Sequence, residues 1–232
     1  MRINKYLAMR GFSTRRGADE FIAKRKVTIN GRVAVLGDRV EETDTVEVRG
    51  SEKMAENRVY FAYHKPRGVV THSPTEDEED IKDVLEKDPE LKDVFPVGRL
   101  DKDSSGLIIL TNDGRITDRL LSPRHDHEKE YVVYTARPLR ASFKEYVEQG
   151  VNIEGYDTKP SVVRMMGDNR FSITLTEGKR HQVRRMVVAM HNEVKDLQRV
   201  RIMNIKLGKL PKGAYRKIEG EELSEFLKSL GL

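Results

Sequence analysis

The chain has 232 residues, with 43 Lys and Arg against 38 Asp and Glu, and neither cysteine nor tryptophan. Without cysteine there is no disulfide scaffold, no thiol nucleophile and no thiolate metal site. No apolar run approaches the about 18 residues that a membrane span needs, and the opening MRINKYLAMR has no secretory apolar core. These features predict a soluble, globular, cytoplasmic protein. Its charge is segregated. Residues 1–32 carry nine Lys/Arg against Asp19 and Glu20, a local +7, and residues 179–217 carry twelve against Glu193 and Asp196, a local +10. Residues 76–93 hold ten acids and three lysines. Two basic blocks offset by acid elsewhere are the layout expected of a chain that releases counterions from a phosphate backbone.

In chain order, Ile3, Tyr6 and Leu7 form a short helical stripe that Gly11 is placed to end. Ser13 or Thr14 is suited to cap a second helix with Ala18, Phe21 and Ile22 on its apolar face. Residues 27–29 and 32–35 flank Asn30-Gly31, a strong hairpin signal, and residues 46–48 read as a closing strand. Residues 49–58 (RGSEKMAENR) are polar and aperiodic and read as a linker. Strands are expected at 59–63, 131–136 and 171–176, and buried central strands at 94–97 and 107–110. Helices are expected at 139–149, 181–190 and 223–230, with one short helix in the acidic stretch 74–93. Strands and helices interleave without a regular βαβ period, which predicts an α+β fold with a mixed, mostly antiparallel sheet.

Three constellations carry chemistry. Residues 95–114 (FPVGRLDKDSSGLIILTNDG) place Asp101, Asp103, Ser104, Ser105 and Gly106 between two apolar runs. Rigid strands on both sides would hold Asp101 still, as a catalytic carboxylate requires. A solvated loop, or a divalent-metal pair at Asp101 and Asp103, fits the same pattern. In residues 177–186 (EGKRHQVRRM), Val183, Met186, Val187 and Met190 form a buried helical stripe, with Arg180 and Arg184 one turn apart beside it. Such arginines can pair with a carboxylate, bind phosphate or simply face solvent. His125 and His127 precede the strand that Tyr131 begins, with no third ligand in evidence for a metal.

Taken together, GRLDKDSSGL, KEYVV and KRHQVRRM, in this order and at this spacing, resemble the RsuA/RluB/RluE/RluF family of RNA pseudouridine synthases. The wording of the DKDS, DHEKEY and RVRIMNI segments is closest to its RluF branch. The N-terminal unit resembles the alpha-L RNA-binding module. The resemblance implies an alpha-L module at 1–48, a linker at 49–58 and a pseudouridine synthase domain at 59–232. It makes Asp101 the catalytic aspartate, Arg99 and Tyr131 contacts of a flipped-out nucleotide, and Arg184 the basic partner of Asp101. Arg2, Lys5, Arg15, Arg16, Lys24, Arg25, Lys26 and Arg32 become the RNA-binding residues of the module. Ser104 stands where many relatives carry Thr, and Arg180-His181 where Asn-Arg is more usual.

The implied reaction is isomerisation of uridine to pseudouridine, with neither cofactor nor metal. The implied partner is large-subunit ribosomal RNA or its assembly intermediate, with transfer RNA left open as an alternative, and the implied state is a monomer. A non-catalytic RNA-binding or ribosome-assembly factor is the alternative.

Overall fold

The computed structural model describes residues 1–10, 12, 15–41, 43–49, 58–71, 80–91, 93–122 and 124–232, with Met9, Arg15 and Arg16 described in their backbone alone. Gly11, the expected caps Ser13 and Thr14, most of the expected linker and the first part of the acidic stretch lie outside those residues.

The N-terminal unit packs α1 (Ile3–Met9) and α2 (Arg15–Ala23) on a three-stranded antiparallel sheet of β1 (Val27–Ile29), β2 (Arg32–Val33) and β3 (Val46–Val48), in the order β2-β1-β3. Ile3, Leu7, Ala18, Ile22, Val27 and Ile29 form its buried core. Asn30 and Gly31 both take positive φ, 50° and 79°, which suits the primed turn of a two-residue hairpin. The second hairpin strand ends at Val33, two residues short of expectation.

The larger unit contains β4 (Tyr60–Lys65), α3 (Ile81–Glu86), β5 (Phe95–Val97), β6 (Ser105–Thr111), α4 (Arg115–Leu121), β7 (Lys129–Thr135), α5 (Phe143–Gln149), β8 (Asn152–Ile153) and β9 (Tyr156–Asp157). It continues with β10 (Val162–Gly167), β11 (Arg170–Leu175), α6 (Gln182–Ala189), β12 (Val194–Ile202), β13 (Ile205–Lys206), β14 (Tyr215–Lys217) and α7 (Gly220–Ser229). A nine-stranded sheet runs β10-β11-β7-β12-β6-β4-β14, with β5 also on β6 and β13 on β12, while β8 and β9 make a separate hairpin. The pairing of β6 with β12 is parallel and, among the described residues, the sheet's other strand pairings are antiparallel. The α+β class and mixed sheet expected from the sequence are therefore present.

Both faces of β4 and β6 are buried, so these strands read as apolar runs rather than alternations. On one face Tyr60, Ala62, Leu107 and Ile109 pack with Ile116 of α4 and Phe226 of α7. On the other, Phe61, Tyr63, Ile108 and Leu110 pack with Ile81 and Leu85 of α3. Further along that second face, Val133, Phe171, Ile173 and Leu197 pack with Phe143 of α5 and with Val183, Met186 and Val187 of α6. Between these two clusters runs a single cross-strand row: Lys65 opposite Gly106, Gly106 opposite Arg199, and Arg199 opposite Tyr131.

The two units touch. A Cβ at Gly114, at the start of α4, would lie 2.6 Å from the carbonyl oxygen of Ala8 in α1. Next to it, the buried Asp113 accepts from the Arg115 guanidinium and from the Tyr60 hydroxyl (2.6 Å).

Candidate active site

Residues 98–104 connect β5 to β6 and carry the expected catalytic aspartate. The loop is tied at many points. The Ser104 amide donates to the Asp101 carbonyl (3.0 Å), the Gly68 amide to the Lys102 carbonyl (2.9 Å), and Thr71 exchanges hydrogen bonds with both backbone groups of Leu100. Leu100, Ser104 and Ser105 are buried, while the Asp101 side chain keeps 35% exposure. A carboxylate open to a substrate on an otherwise immobilised loop is what preorganised catalysis needs.

The start of α6 meets this loop from about eighty residues further along the chain. Arg184 donates through Nη2 to the Asp103 carbonyl (3.0 Å) and to Ser104 Oγ (3.1 Å). The resemblance implied a pairing of Arg184 with Asp101. Among the described residues, the basic side chain nearest the Asp101 carboxylate is instead His181, whose Nε2 lies 3.7 Å from Oδ1. The reason is local backbone geometry: His181 has φ 53° and ψ 28°, a left-handed turn that ends the chain's approach and starts the helix at Gln182. Arg180 consequently precedes the helix and is not one turn behind Arg184 on a common face. Val183, Met186 and Val187 are buried as expected.

This turn has its own anchor, which the sequence reading did not single out. Buried Glu177 accepts from Gln182 Nε2 (2.6 Å), the Tyr156 hydroxyl (2.6 Å) and the Lys159 amide (3.0 Å). The signal available was a Glu five residues before a Gln at a helix start, which is too common to be informative by itself.

Tyr131 stands on β7 opposite Arg199 and packs against the cluster that includes α6. Arg99 lies in the loop itself, exposed, with its carbonyl accepting from Arg199 Nη1 (3.1 Å). The structure therefore brings Arg99, Asp101, Tyr131 and Arg184 to one region of one sheet face. Histidines 125 and 127 stack on each other, and the described residues hold no group of three or more His, Asp or Glu side chains arranged for a metal.

The floor of the site is cationic. Lys65 is fully buried and donates to the Pro66 and Val69 carbonyls (2.8 and 2.7 Å). Burial pushes its ammonium down to about 8, against the favourable pull of Asp101. Burial likewise lowers the Lys129 ammonium, with nearby Arg199 adding repulsion. The Lys65 shift has a definite sign for stability. Between about 8 and its ordinary 10.5 the unfolded chain holds a proton that the folded chain has lost, so folding gains from Lys65 as pH rises through that window. Urea unfolding of the wild type and of Lys65→Met at pH 7.5 and 9.5 should show the wild type gaining on the variant at the higher pH. A gap that stays constant or widens against the wild type would contradict this.

The basic segments differ in how much charge they leave available. In the N-terminal unit, Arg2, Lys24, Arg25, Lys26 and Arg32 are exposed and Lys5 half-exposed, while the side chains of Arg15 and Arg16 lie outside the description. Lys24, Arg25 and Lys26 form one turn between α2 and β1, and Arg32 is paired with Asp38 (2.9 Å). In the C-terminal block much of the charge is already engaged. Arg185 pairs with Glu154, Arg201 with Glu128 and Glu130, and Arg216 with Glu222, and Arg199 is buried.

An aspartate loop on a mixed sheet, a tyrosine strand and a basic helix meeting it, and a small helical-hairpin unit ahead of them define a class of RNA-modifying enzyme. The RNA pseudouridylate synthase family model matches residues 59–189 and the S4 domain model matches residues 1–46. The chain belongs to the RNA pseudouridylate synthase family, with an S4 domain at its N-terminus. It is 39% identical over 231 residues to the dual-specificity RNA pseudouridine synthase RluF of Escherichia coli K12, covering 98% of this chain and 79% of that one. It is 33% identical to the ribosomal large subunit pseudouridine synthase B of Bacillus subtilis, over 96% of this chain and 93% of the relative. A crystal structure of a pseudouridylate synthase superposes with a TM-score of 0.71 at 30% identity, covering 99% of both chains.

Proposed function

We propose that this RNA pseudouridine synthase modifies large-subunit ribosomal RNA, using Asp101 as its one catalytic carboxylate. The convergence of α6 on the Asp101 loop, with Arg184 bonded to Asp103 and Ser104, carries the assignment. Isomerisation breaks the bond from N1 to C1′, turns the base and joins C5 to C1′; the C5 hydrogen leaves as a proton and N1 gains one. No electrons are exchanged with an outside partner, so a single carboxylate acting as nucleophile or base suffices. A uridine within structured RNA must be extruded, and the face of Tyr131 replaces the stacking it loses. Arg99 contacts the flipped nucleotide or the RNA it leaves behind, and Arg184 fixes the loop. The names of the relatives support this reading: one acts on the ribosomal large subunit and another has dual specificity, which fits ribosomal RNA with transfer RNA as a second substrate.

In this proposal the chain works as a cytoplasmic monomer, with an RNA clamp at 1–48, a connector at 49–58 and the catalytic domain at 59–232. Loss of the C5 proton supplies the assay. Ribosomal RNA carrying tritium at C5 of its uridines should release label to water when incubated with the purified chain without added metal or nucleotide, and mapping should place pseudouridine in large-subunit RNA. Tight RNA binding with no tritium release would favour the non-catalytic binding factor instead.

The clamp can be tested separately. Replacing Lys24, Arg25 and Lys26 together by Gln removes the exposed turn between α2 and β1. If each contacts one phosphate, the slope of log affinity against log salt should flatten by up to about 2.7, with single-turnover rates at saturating RNA little changed. An unchanged slope would place the RNA path elsewhere.

A further inference from the structure

Arg199 sits in the cross-strand row at the centre of the site, between Gly106 and Tyr131. Its residue is 4% exposed. Nε donates to the carbonyl of Leu107 (2.7 Å) and Nη1 to the carbonyl of Arg99 (3.1 Å), while Nη2 is buried without a hydrogen-bond partner among the described residues. The two acceptors flank residues 100–106, so one guanidinium fastens both ends of the segment that carries Asp101. Among the described residues, no carboxylate lies within ion-pair distance of it.

A buried cation with an idle donor and no ionic partner is a poor choice for stability. The desolvation of an unpaired charge and of an unmet N–H both count against the fold, and an apolar side chain of similar length would avoid them. The neighbourhood makes the choice costlier still, because the buried Lys65 and the half-buried Lys129 lie nearby and repel it. What the guanidinium supplies is reach and planarity. From a strand that is not part of the loop, it spans two carbonyls eight residues apart in sequence and holds them in one geometry. A displacement of about 1 Å at a reacting group can slow chemistry a hundredfold.

We propose that Arg199 is a positioning residue for the isomerisation, closing the Asp101 loop so that the carboxylate is held at its reacting position. This rests on the reading of Asp101 as the catalytic carboxylate. Arg199 touches the loop backbone and not the RNA, so its loss should slow the reaction without weakening the substrate complex. A lysine at this position would place Nζ near the site of the arginine Cζ, within reach of both carbonyls, and should restore part of the rate.

The test compares wild type, Arg199→Met, Arg199→Lys and Asp101→Asn by tritium release under single-turnover conditions, with thermal unfolding of each. For Arg199→Met the saturated rate should fall by about a hundredfold, with half-saturation held to roughly threefold and the fold retained. Arg199→Lys should recover at least about a tenth of the wild-type rate, the mark of a positioned hydrogen-bond donor rather than of bulk. Should Arg199→Met fail to fold, Arg199→Gln, which keeps one donor group, takes its place with the same expected split. A saturated rate within about threefold of wild type for the Met or Gln variant would overturn the proposal. So would a loss expressed in RNA affinity, or Arg199→Lys no better than Met. Activity in Asp101→Asn would instead overturn the underlying assignment of the carboxylate, whichever way the arginine variants behave.

Discussion

Asp101→Asn should abolish pseudouridine formation while leaving RNA affinity within a few-fold and the unfolding temperature unchanged. The amide occupies nearly the same volume as the carboxylate, and the loop backbone around it is held by the amide of Gly68, the hydroxyl of Thr71 and the amide of Ser104, none of which uses the Asp101 side chain. The variant therefore keeps the loop and loses the carboxylate charge, which also faces His181 and favours the Lys65 ammonium. An amide is neither a nucleophile nor a base, so the rate should drop by about a thousandfold or more, the scale seen when a group acting in covalent or acid–base catalysis is removed. The measurement is single-turnover tritium release at matched folding. Turnover within about tenfold of wild type would remove Asp101 from the mechanism. Asp103→Asn should be mild, since Arg184 takes the backbone carbonyl of Asp103 and not its carboxylate.

Gly106→Ala should have a comparably large effect by a different route. Gly106 has φ +118°, and a Cβ there would lie 2.2 Å from the Arg199 carbonyl oxygen and 2.6 Å from its amide nitrogen. These are backbone atoms of the neighbouring strand, so no side-chain rotation relieves the clash. Ser105 and Gly106 are the residues of β6 that pair with β12, and through them the strands on either side join into one sheet. Forcing them apart should cost about 3 kcal/mol or more, and lower Tm by roughly 6–12 °C for a chain of this size. Activity should fall too, because the loop rides on β6 while Arg199 and Tyr131 stand on the far side of the join. A variant with wild-type Tm and activity would show that the strands tolerate separation at this point.

The legible parts of the fold were those whose local chemistry and tertiary role agree. Asn30-Gly31 fixes its hairpin through positive φ alone, and the stripe of Val183, Met186 and Val187 identifies α6 because its helical period matches its burial. The loop around Asp101 was visible because apolar runs bracket it. The longest strand, β12, was missed. Its sequence VKDLQRVRI reads as part of a basic block, yet Leu197 and Arg199 are buried and Arg201 is neutralised by Glu128, just before β7, and by Glu130 on it. Compensation by partners some seventy residues away leaves no local trace. The position of Arg180 was misplaced for a related reason, since a histidine in left-handed conformation gives no compositional warning of where a helix begins. Strand β10 and helix α4 were also unread, the first because Val162, Met165 and Met166 are exposed apolar residues on the sheet's edge. On the site, the sequence and the resemblance together named Arg99, Asp101, Tyr131 and Arg184 but neither His181 nor Arg199, whose contacts with the loop depend on backbone geometry that residue types do not encode.

The contact of Gly114 with Ala8 bears on how a target is chosen. Only a residue without a side chain lets α1 settle against the start of α4, so the N-terminal unit meets the larger one at this point. Under the proposed function such a contact would act as a ruler, fixing the span from the turn carrying Lys24, Arg25 and Lys26 to the carboxylate of Asp101. Uridines would then be selected by their distance and angle from a gripped feature of the RNA, and an identical base at another spacing would be passed over.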